Sequence, residues 1–144
     1  MTKWELDKQI EEKVAEFTDT YFWSKLPSHR EQSLSAQYAG IDVQLSCNSR
    51  VVNFDEKAKI RGCLNSILQY PSFELEMTSR SGVRREGWFL ANTIWTDYYA
   101  FIGVFASTAD ENKLTADNMI SAVDMLWVKK SDVKQMISGQ IDDD

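Results

Sequence analysis

Two cysteines, two prolines, six glycines and one histidine are all that the 144 residues contain of the types that most often staple, break or switch a chain. Cys47 and Cys63 are too few for a disulfide framework or a zinc site. Cys47 falls by alternation on the apolar side of its strand, so buried free thiols are expected. The lone His29, beside Ser28, has no visible orienting group for nucleophilic chemistry and reads as a loop residue. No apolar run approaches the roughly 20 residues of a membrane span, and the N-terminal MTKWELDKQIEEK is too acidic for a signal peptide. A cytoplasmic protein without a membrane partner is expected. Positive charge is also scarce: 16 Lys and Arg against 22 Asp and Glu give a net charge of −6. That balance opposes sequence-independent nucleic-acid binding, which uses a basic surface to displace counterions from phosphates. The deficit is uneven, however. The first helix and the C-terminal IDDD (141–144), expected to be a flexible tail, carry much of the acid, whereas Arg80, Arg84 and Arg85 crowd into one middle segment. Local potential can oppose net charge.

What remains is an ordinary globular composition. Hydrophobic residues at 43% and charged residues at 26%, with 17 aromatics (5 Trp, 5 Tyr, 7 Phe), exclude extensive disorder. The length suits one domain, residues 1–144, burying about two-thirds of its unfolded surface. Neither repeats nor a linker divide it.

Leu6, Ile10, Val14, Phe17 and Tyr21 draw one stripe along an amphipathic helix from about Thr2 to Phe22. Pro27 and the polar SHRE mark a loop, and EQSLSAQYAG supports at most a short helical turn before Gly40. From Ile41 the period becomes two. Ile41, Val43, Leu45 and Cys47 share one face, Asn48-Ser49 make a tight turn, and Val52, Phe54, Ala58 and Ile60 continue the apolar face on the next strand. SFELEM and VRREGWFL, joined by TSRSG, read as a second hairpin, and TDYYAFIGVFA as a central strand buried on both faces. Residues 119–128 read as a strand carrying Val123, Met125 and Trp127 on one side, or equally as a helix. Ser131 is placed as the N-cap of a last helix to about Ile137. The sum is a mixed α/β fold with three to five strands flanked by helices.

Three charges stand where a core strand disfavours them: Asp42, Asp55 and Lys57. If the apolar faces of the hairpin match, two registers survive. A two-residue loop sets Asp42 opposite Asp55 with Cβ atoms about 5 Å apart, a repulsive pair unless a cation lies between them. A shift by two sets Asp42 opposite Lys57, an ion pair worth about 0.2–1 kcal/mol. Either way Asp55 and Lys57 share a face. Carboxylate oxygens suit Mg²⁺ or Mn²⁺, and a neighbouring lysine can orient an attacking water and offset transition-state charge.

Gly40-Ile41-Asp42-Val43, a short hairpin, and Phe54-Asp55-Glu56-Lys57-Ala58 together resemble the core signature of the PD-(D/E)XK nuclease superfamily, with its restriction-endonuclease-like fold. Ile41 stands where the naming proline would be. YPSFELEM, REGWFL and TDYYAFI are similar to segments of small phage and bacterial members. The resemblance implies a central mixed sheet flanked by helices, and a Mg²⁺-dependent nuclease in which Asp42 and Asp55 hold the metal and Lys57 positions the water. DNA stands ahead of RNA as substrate, and a homodimer is implied if both strands are cut. A further acid comes from a later strand, where Glu76 is the candidate, or from the first helix, where Glu11, Glu12 and Glu16 are all available. Glu56, on the apolar side by parity, either emerges beside the helix, pairs with a base or marks a bulge. Arg80, Arg84 and Arg85 are candidate phosphate contacts, and Trp88, Trp95, Tyr98 and Tyr99 are core before they are base-stacking platforms. The alternative is a non-catalytic relative, phage or mobile-element encoded, that binds or inhibits a protein partner through its acidic surface.

Overall fold

The computed structural model describes residues 1–62, 76–78, 84–86, 94–108 and 110–141, with side chains at all of these except 60–62, 76–78, 84–86, 111 and 138–141. Cys63, Arg80, Trp88 and the end of the acidic tail lie outside the described residues. Helix α1 (Lys3–Tyr21) opens with a capping box: Thr2 Oγ1 accepts the Glu5 N–H at 3.1 Å, and Glu5 Oε2 accepts the Thr2 N–H at 2.7 Å. Leu6, Ile10 and Val14 are buried as their spacing predicts. The last turn departs from that stripe, because the spacing of four continues to Thr18, which is fully buried. Phe17 and Tyr21 meet in a tilted ring contact at 4.6 Å on the helix flank, and Tyr21 stays exposed. A 3₁₀ turn, Trp23–Lys25, then inserts Trp23 into the core.

The strands are β1 (Ser28–Arg30), β2 (Val43–Cys47), β3 (Arg50–Gly62), β4 (Glu76–Thr78), β5 (Arg84–Glu86), β6 (Tyr98–Ala106) and β7 (Ile120–Lys129); α2 (Leu34–Tyr38) precedes β2 and α3 (Lys130–Ile141) follows β7. Five form a mixed sheet in the order β1-β2-β3-β6-β7, in which β3 and β6 run parallel and the other pairs antiparallel. The hairpin expected from SFELEM and VRREGWFL is present as β4 and β5, a separate two-stranded sheet. The fold is therefore mixed α/β, with more strands than the three to five expected.

Several local expectations are corrected. Residues 28–30 are a strand, not a loop: three polar residues show no period, and pairing with β2 makes the strand. Residues 120–129 are a strand, since each alternates faces against β6. The final helix begins at Lys130 and runs through Ile141, past the expected end at Ile137 and into the first residue of the supposed tail. Cys47 is exposed, because the tip of the hairpin projects beyond the packed layer. Ala58 is exposed as well.

Two layers cover the sheet. On one face α1 packs Leu6, Ile10 and Val14 against Ile102, Val104 and Leu114. Trp23 extends this layer, stacking on Trp127 at 5.9 Å and meeting Phe54 edge-on at 5.2 Å. On the other face Tyr99 and Phe101 of β6 meet Val128 and, from α3, Val133 and Ile137. β6 is thus buried on both faces, as its unbroken apolar run predicts.

The β2–β3 register is Val43 with Phe54, Leu45 with Val52 and Cys47 with Arg50, so the loop is two residues long. Asn48 (φ 49°) and Ser49 (φ 65°) both occupy the left-handed region, the requirement of a type I′ hairpin turn. Asn tolerates that conformation better than Ser. Ser49→Gly is therefore expected to stabilise the protein by about 0.5–1 kcal/mol in urea unfolding, with the pairing of Val43 and Phe54 preserved.

Candidate carboxylate site

The paired register ends at Val43 with Phe54; Asp42, just before β2, donates its N–H to the Phe54 carbonyl at 2.8 Å, and its carboxylate comes close enough to that of Asp55 to share a hydrogen bond, whereas the register that would set Asp42 opposite Lys57 does not occur. β2 ends here while β3 runs on, leaving the next outward-facing amide of β3 without a strand partner. Asp42 Oδ2 accepts that Glu56 N–H at 2.8 Å. A side chain thus substitutes for the missing strand and is held in place by the backbone. On the opposite edge of β3, Asp97 does the same: its Oδ2 accepts the Asn53 N–H at 2.8 Å, and its own N–H donates to the Asn53 carbonyl at 2.9 Å.

Asp55 is only 6% exposed, and Lys57 Nζ lies 3.2 Å from its Oδ2. Burial pushes its carboxyl up from the usual 3.8 to about 7; the Lys57 ammonium opposes this, and the Asp42 carboxylate, close enough to share a hydrogen bond, adds to it. The pair can be stabilised by a shared proton or by a cation. Burial, and then Asp55, also push the Tyr99 phenol up.

Gly40 makes the approach to this pair feasible. It has φ +78°, and a Cβ there would lie 2.7 Å from Ile94 Cγ2 and 3.8 Å from Asp55 Oδ2. Thr96 Oγ1 donates to the Gly40 carbonyl at 2.7 Å in the buried interior, joining the segment before β6 to the start of β2.

Of the helix acids, Glu11 is the one whose charge is influenced by Asp42 and Lys57. Partial desolvation raises its carboxyl, the Asp42 carboxylate raises it further, and Lys57 offsets both, although the side chain remains open to solvent. Glu16 is engaged on the surface with Lys13 at 3.3 Å, and Glu12 is exposed. Glu76 lies on β4, in the small sheet, with its side chain outside the described ones; Arg84 and Arg85 on β5 likewise. His29 is exposed on β1. Tyr99 is core as expected, Tyr98 stacks on Phe54 at 5.4 Å, and Trp95 is exposed.

Glu56 pairs with a base, one of the three fates open to it. It faces α1, where Arg30 Nη1 lies 2.6 Å from Oε1, and Trp23 Nε1 and Thr18 Oγ1 donate to Oε2 at 3.2 and 3.3 Å. Arg30 also reaches Asp19 at 2.7 Å. The partners lean in opposite directions: burial raises Glu56 despite Arg30, while Arg30 overcomes its own burial through Asp19 and Glu56 and is held more firmly charged. A guanidinium that cannot deprotonate and two further donors decide for an ionised Glu56 at neutral pH. Glu56 is consequently a structural anchor, not a member of the Asp42 and Asp55 pair.

Arg30 was not legible as a partner, since nothing local links it to residue 56. Among the described residues no three of His, Cys, Asp and Glu come together as a group that could hold a metal, and no helix is long and apolar enough to cross a membrane. Compared with protein-family models, curated proteins and solved structures, the chain matches none.

Two outcomes follow from these contacts. Arg30→Met leaves a buried carboxylate unpaired and is expected to cost about 3–5 kcal/mol in urea unfolding, with much of the loss recovered in the Arg30→Met/Glu56→Gln double variant. Asp55 behaves oppositely. Its folded value lies above its unfolded one, so between about pH 4 and 7 the native state holds a proton that the unfolded chain has released, and stability falls as pH rises through that window. In metal-free buffer Asp55→Asn should be about 2–4 kcal/mol more stable than wild type near pH 8 and equal to it near pH 4.

Proposed function

We propose that the protein is a divalent-metal-dependent nuclease of the PD-(D/E)XK type, with a restriction-endonuclease-like core, that hydrolyses phosphodiester bonds in DNA or RNA. The supporting observation is the juxtaposition of Asp42 and Asp55 across a two-residue hairpin, with Lys57 on the same strand face as Asp55 and 3.2 Å from it. These residues fit a Mg²⁺ ion in donor chemistry. Two carboxylates meet where one is strained by burial and by its neighbour, and Mg²⁺ is commonly held by one or two carboxylates with waters completing the shell. Asp42 and Asp55 would hold the ion, and the ion would supply charge stabilisation at the phosphate and a more acidic water. Lys57 Nζ then orients the attacking water and offsets charge on the phosphate oxygens. Asp42, fixed by the Glu56 N–H, keeps its geometry as the pair changes charge.

A second reading is a non-catalytic interaction protein on the same scaffold. It is favoured by the depth of Asp55, whose 6% exposure restricts access, and by the limit of two closely placed acids among the described residues.

A Mg²⁺ titration separates the two. For the nuclease, millimolar Mg²⁺ raises the Tm of the wild type and supports cleavage of DNA or RNA, chelation stops it, and Asp55→Asn removes both effects. Lys57→Ala should keep the thermal shift while losing about 10²–10⁴-fold in rate. Because ligands must be deprotonated, the metal response should weaken as pH falls below about 7. Absence of both metal stabilisation and cleavage sinks the enzymatic reading.

A further inference from the structure

Among the described residues, α3 makes its core contacts on the Asp55 side of the sheet with β6 and β7. On β1, β2 and β3 the side chains of that same side stay in solvent: His29 and Ser46 are exposed, and Val51 is 58% exposed. The register sets His29 opposite Gln44 and Gln44 opposite Asn53, so these three form one row across the three strands. Along β3 the same face then presents Asp55, Lys57 and Lys59 at intervals of two residues, about 7 Å each. Lys59 is exposed. One face thus runs from a neutral hydrogen-bonding row, past the buried carboxylate, to two lysines.

The row is held in a fixed orientation. Gln44 Nε2 donates to Asn53 Oδ1 at 3.1 Å, and Asn53 Nδ2 donates to the Trp95 carbonyl at 3.1 Å. Both amides are half-buried, and among the described residues Gln44 Oε1 and the second Nε2 hydrogen are left for a ligand. Trp95 is clamped at both ends of its peptide, since its N–H donates to the Ala39 carbonyl at 2.7 Å while its carbonyl takes Asn53. Trp95 is nevertheless 69% exposed. An indole left in water on an immobile backbone offers a stacking face at low entropic cost. The donor and acceptor of Gln44 beside it match those on the edge of a nucleobase, and a base presents both edge and face only when it is unpaired.

We propose that this face of β1, β2 and β3 binds an unpaired nucleic-acid strand, with a base stacked on Trp95 and held at its edge by Gln44 beside Asn53, and with phosphates at Lys57 and Lys59. The binding face stands on its own geometry, whereas its role as the track that brings substrate to Asp42 and Asp55 rests on the nuclease reading. A protein segment would seek an apolar centre, and among His29, Gln44, Ser46, Val51 and Asn53 only Val51 is apolar. The two lysines complement phosphate locally, which a net charge of −6 does not prevent.

The test uses the full chain in EDTA, so that binding is read without hydrolysis, and fluorescence anisotropy with a labelled single strand of DNA or RNA and the duplex of the same sequence. Wild type should bind the single strand about tenfold or more tightly than the duplex. Trp95→Ala should weaken the single-strand complex about tenfold, Trp95→Phe less, and Gln44→Leu severalfold. Lys59→Ala should reduce the slope of log K against log salt by about 0.7. Trp4→Ala, which removes an equally exposed tryptophan from α1, should leave binding unchanged. Equal affinity for single strand and duplex overturns the proposal, as does wild-type affinity in both Trp95→Ala and Gln44→Leu. Absence of binding to DNA and RNA alike overturns it in favour of a protein segment. Binding with these dependences but without any Mg²⁺-dependent cleavage supports the face and overturns the nuclease reading. Mg²⁺-dependent cleavage that Trp95→Ala and Gln44→Leu leave unchanged overturns the face and spares the nuclease reading, so the two failures are distinguishable.

Discussion

The pairing of Val43 with Phe54 across a two-residue turn is the constraint on which the site depends. Side chains alternate along a strand, so this one register decides which charges on β3 face α1 and which face α3. Phe54 and Glu56 go to the α1 layer, Asp55 and Lys57 to the other. The same register ends β2 opposite Phe54, two residues short of Glu56, exposing an amide that Asp42 then caps. A shift of two residues would join Asp42 to Lys57, separate the acids and leave that amide to water.

Neighbours in sequence, Asp55 and Glu56 have opposite electrostatic settings. Glu56 is held by an arginine that is itself braced by Asp19, and by two neutral donors, so its charge is permanently matched. Asp55 has a flexible lysine on one side and another carboxylate on the other, so its charge depends on what else is bound. A satisfied buried acid rigidifies the packing of α1 on the sheet. An incompletely matched one is poised to respond to a proton or a cation, and perturbed groups of that kind cluster at functional sites. Strand parity makes both settings available within two adjacent residues.

What could be read in the sequence was what is local. The alternation that puts Val43, Leu45, Val52 and Phe54 on one face, the Asn48-Ser49 turn and the stripe Leu6, Ile10, Val14 each depend on residues a few positions apart, and the structure agrees with them. The two hairpin registers could not be separated, because apolar matching is satisfied by both; the left-handed conformations of Asn48 and Ser49 select one. Thr2-x-x-Glu5 was a legible capping box that the apolar stripe overshadowed. The rest needed tertiary information. β1 is a strand only because β2 lies beside it, Thr18 lies in the core where its hydroxyl meets Glu56 and Arg30, and of the helix acids it is Glu11 whose charge Asp42 and Lys57 influence, through how α1 is set on the sheet. Lys130 comes within electrostatic range of Asp55 only through the docking of β6, β7 and α3, and no spacing within the chain signals it.

The parallel pairing of β3 with β6 has a kinetic consequence. Residues 63–97 intervene between those strands, whereas the hairpin closes over two residues. Loop-closure entropy therefore favours formation of the β2–β3 hairpin ahead of the parallel pair. Asp42 and Asp55 meet first in a solvated hairpin, where water screens their repulsion at little cost. Docking of β6 and α3 buries Asp55, so the burial that raises its carboxyl is imposed at this late step. The final consolidation of the fold and the protonation of Asp55 are then linked, and the folding rate near neutral pH depends on pH.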